Sequence, residues 1–122
     1  HKDKPPRKWY AYGDCHKSAH ILGDYPKASQ IVLVEDLISA HKLSSVVPTI
    51  CLFGTRVFDG CIPTLRHIGL TITLWLDKDQ EGTMPKQCQR LETLTGLDVS
   101  YVVTTSDPKC LTLEKINETL RT

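Results

Sequence analysis

Four carboxylates stand out because each follows an apolar run. Glu35 follows Ile31 to Val34, Asp77 and Asp79 follow Leu70 to Leu76, and Asp107 follows Val99 to Val103. If those runs are neighbouring strands of a parallel sheet, the carboxylates converge on the edge where the strands end, and there functional residues gather. Carboxylates crowded together repel one another, which raises their pKa values and destabilises the fold. Magnesium or manganese offsets that repulsion, because hard divalent ions take oxygen ligands. Magnesium takes one or two carboxylates directly and keeps its other positions for water or phosphate. Two such ions can activate an attacking oxygen and stabilise a leaving one, which is phosphoryl-transfer chemistry.

Other acidic residues have plainer roles. Asp36 stands directly before an apolar helical pattern and reads as a helix N-cap. Glu81 reads as a solvated side chain, and Asp-x-Asp by itself is short and common. Lys78, between the two aspartates, is a solvated side chain, an ion-pair partner or a phosphate contact. Cys15, His16 and His20 lack the second ligand pair that a zinc site needs.

The elements that must position these residues alternate along the chain. Ile31–Val34, Thr49–Phe53, Leu70–Leu76 and Val99–Val103 read as strands, the first buried on both faces. Between and after them, Asp36–Leu43, Asp59–Ile68, Thr83–Leu94 and Leu113–Leu120 read as helices. The first helix carries Leu37, Ile38, Ala40 and Leu43 as its apolar positions; Gly96 closes the third, and Thr112 caps the last. The pattern predicts an α/β domain over residues 30–122, with a central, mostly parallel four-stranded sheet flanked by helices. Residues 1–29 form a polar lead-in with a short hairpin or irregular structure, broken by Pro5, Pro6, Gly13, Gly23 and Pro26.

Composition narrows the class. The 122 residues suit one core, and a formal net charge of +1 does not advertise nucleic-acid binding. Charge is uneven, however. Lys2, Lys4, Arg7 and Lys8 precede Trp9, Tyr10 and Tyr12, a combination that can grip phosphates and stack bases, or simply form a solvated tail. Five irregularly spaced cysteines argue against a disulfide framework and for a reducing, cytoplasmic compartment. No apolar run is long enough to span a bilayer. The chain begins at His1 rather than Met, so a piece of a longer polypeptide, or a processed or tagged chain, is expected.

The ordered set of motifs resembles the Toprim domains of bacterial and phage DNA primases. The glutamate that ends their first strand corresponds to Val34-Glu35-Asp36, their Leu-Gly-Thr to Phe53-Gly54-Thr55, their Asp-x-Asp-x-x-Gly to Asp77–Gly82, and their Asp-Pro to Asp107-Pro108. A fainter likeness in the lead-in links Pro6-Arg7-Lys8-Trp9-Tyr10 to a basic template-contacting stretch, and Leu22-Gly23 to the segment that follows it. The resemblance covers about residues 30–120. Two positions differ: Asp36 stands where the family has glycine, and Ser39 where it has an acidic residue.

The resemblance implies nucleotidyl transfer on a single-stranded DNA template, that is, primer synthesis from ribonucleoside triphosphates. It implies Glu35, Asp77 and Asp79 as catalytic residues and as ligands of Mg2+ (or Mn2+), with Asp107 also at the metal. Arg7, Lys8, Lys17 and Lys78 are the expected nucleic-acid contacts. A replicative helicase, separate or fused, is the expected protein partner, and the expected location is the cytoplasm, the host's if the protein is phage-encoded. Two other readings use the same residues: a metal-dependent nuclease, and a non-catalytic module that binds DNA or a replication partner.

Overall fold

Short runs of β-branched and aliphatic residues make the sheet. In a computed structural model, which describes residues 19–23 and 28–121, its strands are β1 (Ile21–Leu22), β2 (Gln30–Val34), β3 (Thr49–Cys51), β4 (Thr71–Leu74) and β5 (Val99–Tyr101). They lie in the order β1-β3-β2-β4-β5. All pairings from β3 to β5 are parallel, and β1 alone runs antiparallel, against β3. Among the described residues the sheet therefore has five strands rather than four. The extra one comes from the lead-in, where Ile21 and Leu22 were too short a run to read as a strand.

Alternation along the central strands divides the apolar residues between two faces. Ile31 and Leu33 of β2, Ile50 of β3 and Ile72 and Leu74 of β4 meet helices α2 (Cys61–Ile68) and α3 (Met84–Thr95) on one side. Val32 and Val34, with Cys51 and Trp75, meet α1 (Leu37–Leu43) and α4 (Leu113–Leu120) on the other. The result is a three-layer α/β/α arrangement in which residues 31 to 34 are buried on both faces, as a central parallel strand must be.

Local signals end the helices where the sequence places them. Gly96, at φ 73°, is the left-handed cap that closes α3. Thr112 accepts a hydrogen bond from the Lys115 N–H at the start of α4. Helix α1 departs from expectation in its facing: Ala40 and Leu43 are buried together with Ser39, whereas Leu37 and Ile38 are 45% and 68% exposed. In so short a helix the arc centred on residues 39, 40 and 43 is the one that reaches the sheet, and 37 and 38 fall outside it.

Cys51, Cys61 and Cys88 are buried within the layers, and Cys110 is exposed. Among the described residues no helix is long and apolar enough to cross a membrane. Arg7, Lys8 and Lys17, with Cys15 and His16, lie outside the described residues.

Candidate metal centre

Strand order decides what the carboxylates can do together. β2 and β4 are direct neighbours, with Leu33 beside Leu74, so the chain leaves the sheet at Glu35 and at Asp77 side by side. The Trp75 N–H donates to the Leu33 carbonyl at 2.9 Å, which extends the parallel pairing one residue past β4. One step further the pattern changes: the Asp77 N–H donates at 2.7 Å to the Glu35 carboxylate itself rather than to backbone. That bond fixes the Glu35 side chain across the top of both strands.

Asp79 is brought back to the same place by a 3-10 turn over Lys78–Thr83, in which the Gln80 N–H donates to the Asp77 carbonyl at 2.9 Å. Glu35, Asp77 and Asp79 thus each present a carboxylate oxygen, all within 4.8 Å of one another. Glu35 and Asp77 are half-buried, and Asp79 is exposed.

The electrostatics of the cluster follow from its crowding. Burial pushes the Glu35 carboxyl above the usual range; the Asp77 N–H acts against this, and the charges of Asp77, Asp79 and Asp107 add to it. Asp77 is also raised, first by burial, then by the charge of Asp107, with Lys109 acting in the opposite direction. Three oxygen donors that repel one another suit a hard divalent cation, so the group can hold a metal ion.

Asp107 stands at the rim, near enough for its charge to be felt at Glu35 and Asp77. It is not one of the three whose oxygens converge. Its carboxylate lies 3.9 Å from the Lys109 ammonium, and the same ammonium lies 3.6 Å from Asp36. Asp36 also caps α1, accepting from the Ser39 N–H at 2.8 Å. The position where the primase motif has an acid is Ser39, 1% exposed beneath that cap. Lys78 is exposed on the turn between the two aspartates, and Glu81 is exposed on the same turn.

Lys109 is the residue that reading the sequence passed over. It follows Asp107-Pro108 directly, but only the fold sets it against Asp36, 73 positions away. A hydrogen bond from the Lys42 ammonium to the Lys109 carbonyl, 3.2 Å, ties α1 to the Pro108–Cys110 turn and holds the two together. Asp36 is the main cause of the raised Lys109 pKa, with Asp77 and Asp107 adding to it.

The Phe53-Gly54-Thr55 segment supports the cluster from the other side. Phe53 leaves β3 in the left-handed region, at φ 54°, which few residues other than glycine adopt. The turn brings the Gly54 N–H to the Glu35 carbonyl at 3.1 Å. Backbone held in such a conformation clusters at functional edges. Comparison of the chain with protein-family models, with curated proteins and with solved structures finds no match.

Proposed function

We propose that this chain is the Toprim part of a DNA primase and that it joins ribonucleotides on a single-stranded DNA template. The observation that carries the reading is the convergence of Glu35, Asp77 and Asp79 at the carboxyl edge of a mostly parallel sheet, in the order the primase motifs require. Divalent ions bound there would neutralise charge on the transferred phosphoryl group and lower the pKa of the primer hydroxyl.

The protein's own contributions are positional. The Asp77 N–H aims one oxygen of Glu35 and leaves the other for a ligand. Asp79, on an exposed turn, forms the open side through which nucleotide and template approach. Lys109 answers the charge of Asp36 and Asp107 at the rim and offsets part of the repulsion felt at Asp77.

The test is incubation with single-stranded DNA templates, ribonucleoside triphosphates and Mg2+ or Mn2+. Template-dependent ribonucleotide oligomers that vanish in Asp77→Asn support the proposal. Metal-dependent shortening of the DNA would assign the same centre to a nuclease. DNA binding with neither reaction would leave the module without catalysis and overturn the proposal.

A further inference from the structure

Beside the carboxylates lies a second feature of opposite sign. A cleft of about 530 Å3 is lined by Thr55, Arg56, Gln80, Lys86, Gln87 and Arg90, among others. That volume is within the range of small-molecule sites, roughly 300–1,000 Å3. Two of its lining residues adjoin the metal centre along the chain. Gln80 is next in the chain to Asp79, and Thr55 follows Gly54, whose N–H is bound to the Glu35 carbonyl.

The wall is built rather than incidental. Gln87 accepts from the Val57 N–H at 2.9 Å and donates to the Thr55 carbonyl at 2.8 Å, which clamps the segment after β3 onto α3. Arg90 donates to the Val57 carbonyl at 3.1 Å and pairs with Asp59. Arg56 and Lys86 are different. Both are exposed, both line the cleft, and among the described residues neither forms an ion pair. Thr83 opens α3 without a side-chain cap and also lines the cleft, so a helix amino end adds its partial positive charge. Two exposed cations that line one cleft without an ion-pair partner suit an anionic ligand.

We propose that this cleft binds phosphate groups of the ligand whose reacting phosphate sits at Glu35, Asp77 and Asp79, with Arg56 and Lys86 as the principal contacts. The assignment rests on the phosphoryl-transfer reading of the metal centre, which the cleft deepens by giving flanking phosphates a place to lie. Those phosphates belong either to the tail of a nucleoside triphosphate or to the backbone of a nucleic-acid strand. Arginine suits them through its planar fork and lysine as a point charge.

The test measures binding of the 122-residue chain in EDTA, so that metal plays no part. The probes are a fluorescent oligo(dT), ATP and inorganic tripolyphosphate. Arg56→Glu with Lys86→Glu is expected to weaken the bound probe at least tenfold. Lys115→Glu, on the exposed face of α4, makes half that change in net charge away from the cleft and is expected to change affinity less than threefold. Loss confined to oligo(dT), with its salt slope reduced by ~1.4, assigns the cleft to a strand, since each phosphate contact on a single strand contributes about 0.7. Loss confined to ATP and tripolyphosphate assigns it to a triphosphate tail.

A double variant that binds every probe as tightly as the unaltered chain, or no more weakly than Lys115→Glu, overturns the proposal. Failure of the metal reading is seen separately, as Mn2+ binding that Asp77→Asn leaves unchanged.

Discussion

β4 and the turn that follows it are adjacent in the chain and opposite in character. Leu74, Trp75 and Leu76 are sealed in the interior, and the Trp75 indole N–H is satisfied by the Thr104 hydroxyl at 3.1 Å. One residue later Asp77 and Asp79 stand in a crowd of like charges, with Asp77 raised above its ordinary pKa. Burial also acts on Cys88 in the interior, whose thiol is pushed up to about 11, but there it merely keeps a small apolar group neutral. The contrast teaches that the packed interior and the candidate metal centre are held by different residues. The interior contributes packing, and the carboxyl edge gives up some stability to keep charges together.

The sharpest way to break this division is in the interior. Leu74→Ala should destabilise the domain by about 2–5 kcal/mol, measured by denaturant unfolding, because it deletes buried apolar surface and leaves a cavity. At the edge, if the chain carries the proposed primase activity, Asp77→Asn or Asp79→Asn should reduce primer synthesis by ~100-fold or more, the scale on which removing a single charge-stabilising group acts. The melting temperature of the metal-free chain should stay the same or rise, since like-charge repulsion is relieved. Unfolding of Asp77→Asn would make that aspartate part of the packing and erase the distinction.

Asp36 belongs to both regions, as a helix cap and as an ion-pair partner of Lys109. Asp36→Ala should cost about 0.5–2 kcal/mol of stability through the lost cap. It also frees Lys109 to turn toward Asp77 and Asp107, so Mn2+ binding should weaken. Lys109→Ala should do the reverse and tighten Mn2+ binding a few-fold, as read by titration calorimetry, while barely changing stability.

The smallest effect is on pH dependence. Glu35 and Asp77 are both raised in the folded chain, so over their titration range the folded state binds more protons than the unfolded one. Stability attributable to them therefore falls as pH rises through those values and is recovered on acidification. Thermal melts of the metal-free chain should show their contribution as a modest gain as the pH is lowered from neutral into the ordinary carboxylate range. Saturating Mn2+ should abolish that gain, because the bound ion favours the ionised carboxylates. A gain of equal size in Asp77→Asn would place its origin elsewhere.

Much of this architecture was legible in the residues. The strands of the α/β unit and its helices appear as local runs and caps, with Thr112, Gly96 and Asp36 acting within a few residues of themselves. The placing of Glu35, Asp77 and Asp79 just after strands is also local, because polar residues end apolar runs. What a segment cannot specify alone is its neighbour.

That β2 lies against β4, that Ile21–Leu22 adds an antiparallel edge, and that Lys109 meets Asp36 were decided by pairing across long stretches of chain. The inward face of α1 was settled the same way, by the sheet it had to cover rather than by its own apolar spacing. The cleft of Arg56 and Lys86 forms only where the segment after β3 meets α3. Local pattern determines which elements form and what chemistry they carry at their ends; the packing of apolar faces determines which of those ends meet.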